Sequence, residues 1–281
     1  MFRPLVVVAV AVALVTAGCG ATGGGDGGAR TVNPALAETP TATATATPEP
    51  TYPPGVRPDG VDARVLAGNH DRMLDRVNST VRVDRRVVDA NGTTVSATDV
   101  RIESSGPRLH YRVDERGGLP DQFVSPFPVF EFWTNGTVTV TRSVDAGGNA
   151  TVRRIEGQPP TIAAADDTGE ESVFGAVRGT NARLVGTETV DGETVYVVRA
   201  AHDDLDRRGG PPVRDVRLNA TVTEAGVVLA YDLSFTATYE RPDGGTLVAT
   251  TTERFRTELG GEAASPPPWV DGSNATTAGD D

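Results

Sequence analysis

Side chains with catalytic or metal-binding potential are few in this 281-residue chain and lie far apart in its sequence. The three histidines, His70, His110 and His202, occur in unrelated segments. None has a second ligand at the spacing that a helix or hairpin metal site needs. No G-x-S-x-G motif and no glycine-rich phosphate loop is present after a strand-like segment. The sequence therefore predicts a protein that is not an enzyme and needs no cofactor or metal.

Acidic side chains are concentrated in the segment HDDLDRRGG at 202–210. Calcium binding would require these carboxylates to converge, but the segment lacks the glycine spacing of a calcium loop. A solvated hairpin loop accounts for the same composition without any ligand. We therefore expect a loop here rather than a metal site.

The only cysteine, Cys19, directly follows a segment with the order of a secretory signal. Arg3 is the single positive residue before an apolar run at 5–15, and the small residues Ala17 and Gly18 come next. The run is too short to span a bilayer, which takes about 20 residues. The order of these residues predicts a signal peptide at 1–18.

The segment TAGC at 16–19 resembles the lipobox of secreted lipoproteins, although Thr16 stands where Leu, Val or Ile is usual. The resemblance implies cleavage before Cys19 and a diacylglyceryl-type lipid on its thiol. It also implies an exported protein that is lipid-anchored at the extracellular face of the cell membrane. The alternative is an ordinary signal peptide that happens to contain a free cysteine. No twin arginine is present, so we expect the general secretory route.

Six Asn-x-Ser/Thr triplets are candidate acceptors for N-linked sugars in an exported protein. They begin at Asn78, Asn91, Asn135, Asn149, Asn219 and Asn274. Asn91 and Asn135 each precede a glycine, which predicts exposed turns. Since the chain is rich in threonine, some triplets are coincidental, and we expect about two or three to be used.

The charge balance excludes one class of partner. The formal net charge is −12, and the chain contains no lysine, so all 26 basic residues are arginine. Nucleic-acid binding needs a basic face, and this surface is acidic on average. An acidic, lysine-free composition is typical of proteins from salt-loving archaea.

Composition divides the chain into four parts. The signal peptide at 1–18 is followed by the lipidated cysteine and a Gly-, Thr- and Pro-rich tether at 19–58, which has too little apolar surface to fold. A single domain is expected at 59–270, and a disordered acidic tail at 271–281.

Periodicity predicts the elements of the domain. Apolar residues four apart predict an amphipathic helix over 61–77 with Asp59 as its N-cap, and a second short helix is predicted within 166–179. Elsewhere apolar and polar residues alternate, so His110 projects from the solvent side of its strand. Two-residue turn signals, NG at 91 and 135 and DG at 191 and 243, predict antiparallel hairpins. The apolar face of such a sheet needs a second sheet or must curl to be covered.

Four strand-turn-strand or closing segments resemble a family of uncharacterised haloarchaeal lipoproteins. They are FEFWTNGTVTVTRSVDAGGNATVRRI at 130–155, LVGTETVDGETVYVVRA at 184–200, VRLNATVTEAGVVLAYDLSF at 216–235 and PPPWV at 266–270. That family in turn is similar in fold to periplasmic lipoprotein carriers and mycobacterial lipid-binding lipoproteins. The resemblance covers about residues 60–270. It implies a mainly β (α+β) fold, a curved antiparallel half-barrel of about nine to eleven strands with one or two helices covering its concave face. It brings no catalytic residues.

Aromatic residues are concentrated in the segment FVSPFPVFEFW at 123–133. They are Phe123, Phe127, Phe130, Phe132 and Trp133. Because Pro126 and Pro128 keep the first half of the segment from being a central strand, the segment is predicted to be a loop or lid at the mouth of a hydrophobic-ligand cavity. The alternative is that these aromatics close one end of an ordinary core.

Two hypotheses of function therefore follow from the sequence. The first is a membrane-anchored extracellular lipoprotein that binds or carries lipid or another hydrophobic molecule in a half-barrel cavity. The second is a structural or interaction glycoprotein of the archaeal cell envelope that has no ligand cavity. The identity of any protein partner is left open.

Overall fold

The computed structural model describes residues 51–119, 127–156, 168–205, 211–241, 244–271 and 276–277. The chain divides into two compact units, Met1–Glu49 and Pro50–Asp281, and all described residues belong to the second. The predicted signal peptide, Cys19 and most of the predicted tether therefore lie outside the described residues.

Strands dominate the described part of the chain. In chain order they are β1 (Val56–Arg57), β2 (Gly60–Val61), β3 (Ser79–Asp89), β4 (Thr94–Ser105), β5 (Arg108–Gly117), β6 (Val129–Thr134), β7 (Val138–Val144), β8 (Ala150–Glu156), β9 (Arg183–Val190), β10 (Glu193–Leu205), β11 (Val213–Thr223), β12 (Val228–Glu240), β13 (Thr246–Leu259) and β14 (Thr276–Thr277). The helices of the same residues are α1 (Ala63–Leu74), α2 (Glu170–Val177) and α3 (Pro268–Asp271).

One large sheet contains twelve of these strands, in the order β14-β8-β7-β6-β5-β4-β3-β13-β12-β11-β10-β9. Two meanders, β3 to β8 and β9 to β13, meet at the centre, where β3 and β13 pair antiparallel. The short strand β14 is parallel to β8. The sheet is curved, and its two outer strands do not pair with each other within the described residues. The predicted curved antiparallel sheet of about nine to eleven strands is therefore confirmed, since β3 to β13 are eleven antiparallel strands.

Tight turns form at the predicted Asn-Gly and Asp-Gly pairs. Asp191 and Gly192 both have positive φ, 52° and 85°, as the central pair of a type I′ turn between β9 and β10 requires. Gly92 and Gly136 have φ values of 83° and 86° in the β3–β4 and β6–β7 turns. The pair at 243 lies partly outside the described residues.

Helix α1 begins later than predicted, at Ala63, because the preceding residues form strands. Gly60 and Val61 pair with β1, so they are extended. Asp62, not Asp59, caps the helix, and its Oδ1 accepts hydrogen bonds from the backbone N–H groups of Arg64 and Val65, both at 3.1 Å. The helix ends at Leu74 rather than residue 77.

Both longer helices pack on the concave face of the sheet and bury one stripe each. The buried stripe of α1 includes Leu66, His70 and Leu74, and that of α2 includes Val173 and Val177. Helix α2 lies inside the window 166–179 that the sequence predicts. The helices and the apolar residues of the concave face form one core cluster.

Strand β13 shows why one face is buried. Burial alternates residue by residue from Leu247 to Thr257, because successive side chains point to opposite faces. Phe255 stacks on Tyr231 of the neighbouring strand, with ring centroids 4.9 Å apart and planes 5° apart. The inward positions of β13 also include Thr251 and Glu253, which interrupt the apolar surface.

The C-terminal segment differs from the predicted tail. After β13 the backbone N–H of Ala264 donates a hydrogen bond to Ser105 Oγ, and helix α3 follows at Pro268. Residues 276–277 then extend the sheet beside β8. Two residues of the predicted tail thus pair with the sheet. At the other end, β1 begins at Val56, within the segment predicted as tether.

Candidate functional site

A cavity of about 210 Å³ lies between α2 and the concave face of the sheet. Its apolar walls are formed by Val87 of β3, Leu233 and Phe235 of β12, and Leu119. Gly175 of α2 lines its opposite side, and a Cβ atom added there would have no neighbouring atom within 4 Å. The cavity therefore has an open helical wall, and its lining mixes these apolar residues with the hydroxyls of Ser96, Thr98 and Ser172.

The polar end of the cavity is built around Glu253, whose residue surface is only 4% exposed. Arg85 holds one carboxylate oxygen, Oε2, through Nε and Nη2, both at 2.5 Å. The hydroxyl of Tyr231 donates a hydrogen bond to the other oxygen, Oε1. A buried charge is tolerated when it is paired and hydrogen-bonded, and these contacts satisfy both conditions.

Strand register brings this pair together. Arg85 and Glu253 are 168 residues apart in the chain but directly opposite on β3 and β13. Both occupy inward positions at which their neighbours two residues away, such as Val83 and Phe255, are buried and apolar. The pair is therefore a polar insertion into an otherwise apolar face.

Thr251 adds an unpartnered hydroxyl to the same lining. The residue is 2% exposed, and its Oγ1 is buried without a hydrogen-bond partner among the described residues. Leaving a buried hydroxyl unpaired costs about 1–3 kcal/mol. A ligand polar atom that enters the cavity would remove this cost.

A second polar cluster lies on the outer face of the sheet, around the buried carboxylate of Glu131. The imidazole of His110 lies between Glu131 Oε1, at 2.8 Å from Nε2, and Glu103 Oε2, at 3.2 Å from Nδ1. Arg142 Nη1 is 3.3 Å from Glu131 Oε2. Trp269 of α3 is also beside this carboxylate.

These contacts raise the pKa of His110 and lower the pKa of Glu131. Both shifts favour the charged forms and therefore the ion pair. Burial alone would lower the pKa of His110, but the hydrogen bonds to Glu131 and Glu103 raise it above its ordinary value. Burial alone would raise the pKa of Glu131, and the hydrogen bond with His110 lowers it instead. The prediction that His110 projects from the polar side of its strand holds, but its side chain is only 13% exposed because the cluster encloses it. The cluster is an ion network that α3 covers, and no free space for a ligand adjoins it in the described cavities.

A groove of about 890 Å³ crosses the outer face of β10 to β13. Four arginines border it, Arg199, Arg217, Arg254 and Arg256. Asp232 lies in its centre and contacts two of them, Arg256 Nη2 at 3.1 Å and Arg254 Nε at 3.6 Å. Positive charge is therefore in local excess here, in a chain whose net charge is −12.

The predicted aromatic segment is divided by the structure. Residues 129–134 form strand β6 rather than a loop, so that part of the loop prediction is wrong. Phe132 is buried in the core and stacks on Tyr111, with centroids 5.3 Å apart, while Trp133 faces the opposite side of the strand. Phe130 packs against the core, Phe127 is 39% exposed, and Phe123 is outside the described residues.

None of the described aromatics of this segment lines the concave cavity. Residues 129–134 form a strand because successive side chains of VFEFWT suit opposite faces of a sheet. The backbone of this segment pairs with β5 on one side and β7 on the other. Within 127–134, only residues 127–128 precede the strand, so Pro128 lies directly before its first residue, where a proline is tolerated.

Five of the six predicted sugar acceptors fall within the described residues, and Asn274 does not. Asn91 and Asn135 are exposed in turns, and Asn219 is exposed on β11, where its Oδ1 accepts a hydrogen bond from Arg199. The Nδ2 atoms of the other two are engaged, that of Asn78 with Gly261 O at 3.2 Å and that of Asn149 with the Asp145 carboxylate.

The remaining histidines have structural contacts. His202 Nε2 meets the backbone oxygen of Thr180, and His70 is fully buried between α1 and the sheet. Among the described residues no group of three or more His, Cys, Asp or Glu side chains is arranged to hold a metal ion. The acidic segment at 202–210 is described only in part, and Cys19 lies outside the described residues.

Fold and cavity define a mainly β protein, built on one curved antiparallel sheet with helices on its concave face. The chain belongs to a family of unknown function, DUF7537, whose model matches residues 4–273. No match was found among proteins of curated function.

A crystal structure of a DUF1329 family protein from Desulfovibrio piger is one of the solved structures that align with the chain. The two are 14% identical, and the alignment covers 71% of this chain and 93% of the other at a TM-score of 0.23. A similarity at this level assigns no function. In the described residues, no helix combines the length and apolar character that a membrane span requires.

Proposed function

We propose that the protein binds a small amphipathic molecule in its concave cavity and does so at the extracellular side of a membrane to which Cys19 anchors it. The cavity between α2 and the sheet carries the proposal, because it joins apolar walls to a polar end. Binding pockets combine apolar surface with placed polar groups, and in this cavity the polar groups form the larger share of the lining. The position of Cys19 after a short apolar run supports the location.

The cavity's size limits the ligand. At about 210 Å³ it is smaller than the ~300–1,000 Å³ of common ligand sites. Two acyl chains of a membrane lipid exceed this volume. The proposed ligand is therefore a small or single-chain molecule rather than a whole two-chain lipid, which narrows the sequence-based hypothesis.

Gly175 provides a test of binding that leaves the core untouched. Gly175→Trp places a bulky side chain at the open wall of the cavity, whereas Gly175→Ala changes the same position without filling it. Wild type and both variants are purified from membranes in the same way and extracted with organic solvent, and the extracts are compared by mass spectrometry. Lipids that accompany the anchor appear in all three extracts.

A compound that is present with wild type and Gly175→Ala but depleted with Gly175→Trp supports the proposal. Equal extracts from all three proteins, with unchanged unfolding curves, contradict it. The comparison does not require the ligand to be known in advance. Membrane lipid that co-purifies non-specifically is a common background in all three extracts, so only a compound bound in the cavity should differ between them.

The outer groove supports a second candidate function, interaction with an anionic component of the cell envelope. Arginine matches carboxylate and phosphate groups through two parallel hydrogen bonds. Arg82 lies on the outer face away from the groove and pairs with Glu258 at 2.6 Å, so it serves as the control position. Cross-linking of whole cells, followed by mass spectrometry, should lose adducts in Arg254→Ser but retain them in the control Arg82→Ser. Equal adducts in both variants contradict this second function.

A further inference from the structure

We infer that the outer groove across β10 to β13 binds an acidic oligosaccharide, in which sugars that carry a carboxylate are separated by uncharged sugars. The inference rests on the second candidate function, interaction with an anionic component of the cell envelope, and adds the chemical class of that component. It follows from the order in which charged and neutral side chains occur across the strands.

One row of side chains crosses the floor of the groove. Strand register places four residues of this row directly opposite one another on consecutive strands, Arg199 of β10, Asn219 of β11, Asp232 of β12 and Arg254 of β13. All four are exposed and line the groove. Neighbouring strands are about 4.8 Å apart, so the backbones of the two arginines are separated by about 14 Å. The row therefore has a cation at each end and none in its middle.

The end at Arg199 carries positive charge that no carboxylate of the described residues neutralises. Arg183 of β9 is directly opposite Arg199, and like charges at opposite positions of a sheet repel. Neither arginine has an ion pair within the described residues, and Arg199 Nε donates its hydrogen bond to the neutral amide oxygen of Asn219 at 2.9 Å. A ligand carboxylate at this end would relieve the repulsion and accept two parallel hydrogen bonds from a guanidinium.

The opposite end is also positive. Arg254 and Arg256 lie on the same face of β13, and both contact Asp232, at 3.6 Å and 3.1 Å. Two arginines and one carboxylate leave one net positive charge there. A compact anion such as phosphate can contact only one end of the groove. A ligand that satisfies both ends must therefore be extended and carry two separated negative charges.

The middle of the groove opposes a continuous polyanion. The side chain of Asp232 is 52% exposed and would repel a negative charge placed between the two ends. Ser234 and Thr252 are opposite each other in the next row and also line the groove. Their hydroxyls and the Asp232 carboxylate can accept hydrogen bonds from ligand hydroxyl groups. An uncharged, hydroxyl-rich segment is therefore the part of a ligand that suits the middle, and a neutral sugar supplies one.

An acidic peptide would offer similar charges but fits the groove less well. Extended peptides commonly bind a sheet by adding a strand to its free edge, where backbone groups are unpaired. Strands β10 to β13 pair with one another beneath the groove, so their backbones offer a peptide no such pairing. We therefore favour the sugar, and the peptide becomes a separate arm of the test.

Four probes distinguish these classes. The full chain is produced in cells that lack N-glycosylation, so that Asn219 carries no sugar, and is solubilised in an uncharged detergent. Calorimetric titrations use a hyaluronan tetrasaccharide, which alternates acidic and neutral sugars, tetragalacturonate, which is acidic at every sugar, glucuronate, and the blocked peptide Glu-Gly-Gly-Glu. We expect the hyaluronan tetrasaccharide to bind most tightly, about 10-fold or more tighter than glucuronate, because it contacts both ends at once.

Arg199→Ser tests the end that lacks a carboxylate partner. The variant should weaken binding of the hyaluronan tetrasaccharide about 10-fold or more, since it removes a charge-assisted contact. Its free energy of unfolding should not fall, because the repulsion between Arg199 and Arg183 is removed. Arg254→Ser should weaken binding in the same way from the other end. The control Arg82→Ser, on the outer face but outside the groove, should leave binding unchanged.

The outcomes separate the inference from the function on which it rests. If tetragalacturonate or the peptide binds at least as tightly as the hyaluronan tetrasaccharide and loses affinity in Arg199→Ser, the groove binds anions but the proposed class is wrong. Equal affinity of the tetrasaccharide for wild type and Arg199→Ser also contradicts the class. If no probe distinguishes wild type from Arg254→Ser, and cross-linked adducts on cells are equal as well, the second candidate function itself fails.

Discussion

The imidazole Nδ1 of His70 accepts a hydrogen bond from the backbone N–H of Val228, 3.2 Å away and 158 residues further along the chain. The other ring nitrogen, Nε2, is 3.0 Å from the carbonyl oxygen of Thr168 and donates to it. One neutral tautomer satisfies both contacts, since one nitrogen accepts while the other carries the proton. The buried ring thus joins α1, the segment before α2 and the start of β12.

Acid should destabilise the protein through His70. Burial lowers its pKa from 6.5 to about 4, because the charged ring would lose hydration. The unfolded chain therefore binds more protons between these values, so this contribution to stability is complete above pH 6.5 and is lost as the pH falls towards 4. The shift corresponds to about 3 kcal/mol at most. Urea unfolding at a series of pH values from neutral down to the folded-state pKa measures it.

His70→Leu tests whether that ring is the source. The variant should lose about 3 kcal/mol at neutral pH, because the N–H of Val228 and the carbonyl of Thr168 lose their partner. Its stability should also fall less steeply between pH 6.5 and 4 than that of wild type. An unchanged slope would assign the acid sensitivity to other groups.

His110 should act in the opposite direction. Despite burial, which would lower it, hydrogen bonds to Glu131 and Glu103 raise its pKa above the ordinary value. A raised folded-state pKa means that this contribution is complete below the unfolded value of 6.5 and is lost as the pH rises through the folded value. His110→Gln should therefore flatten the loss of stability on the alkaline side. NMR titration of the ring in Glu131→Gln should show a lower pKa; no change there would contradict the role of Glu131.

Local patterns predict much of the fold because they depend on neighbouring residues only. Alternation in β11 to β13 and the Asp-Gly turn at 191 are visible in short windows. The predicted start of α1 is wrong, since Asp59 and Asp62 are both plausible caps and only the pairing of β1 with β2 decides between them. The loop prediction fails for residues 129–133 of the aromatic segment. The prolines before these residues favour a loop, although the residues themselves form strand β6.

The candidate site could not be predicted from such windows. A charged residue at an inward position, as with Arg85 in VRVDRRVV and Glu253 in TTTERFR, was the available signal. That signal becomes informative only when β3 and β13 are known to pair, and nothing local fixes a register across 168 residues. The unpartnered Thr251 Oγ1 is likewise a property of three-dimensional packing, not of sequence.

Alanine substitutions at two glycines should distinguish the cost of a strained backbone from the cost of steric crowding. Gly169 and Gly179 both have left-handed backbones, with φ of 78° and 74°. A Cβ at Gly169 would lie 2.7 Å from Phe255 Cε2, whereas a Cβ at Gly179 would have no neighbouring atom within 4 Å. Gly179→Ala should cost about 1 kcal/mol from conformation alone, and Gly169→Ala about 3 kcal/mol from conformation and overpacking. Equal losses in urea unfolding would show that Phe255 moves aside freely.

Sugar attachment should follow the freedom of each asparagine's Nδ2. If the exported protein meets a glycosylation system, Asn91 and Asn135 should be modified, because both are exposed and no hydrogen bond holds their Nδ2 in the described residues. Asn149 should be modified less, since its Nδ2 is bound to Asp145. Peptide mass spectrometry of protein from its native cells measures occupancy. Asp145→Ala should raise occupancy at Asn149, and no increase would contradict the role of that contact.

Membrane attachment should depend on one sulfur atom. With a single cysteine in the chain, Cys19→Ser removes the only thiol that can take a thioether-linked lipid. One acyl chain binds a membrane marginally and two bind it stably, so loss of a two-chain lipid should release the protein into the medium. Fractionation of cells that produce wild type, Cys19→Ser and the neighbouring control Ala21→Ser measures the distribution. Because the apolar run is too short to span a bilayer, continued membrane association of Cys19→Ser would require a different anchor and would contradict lipidation.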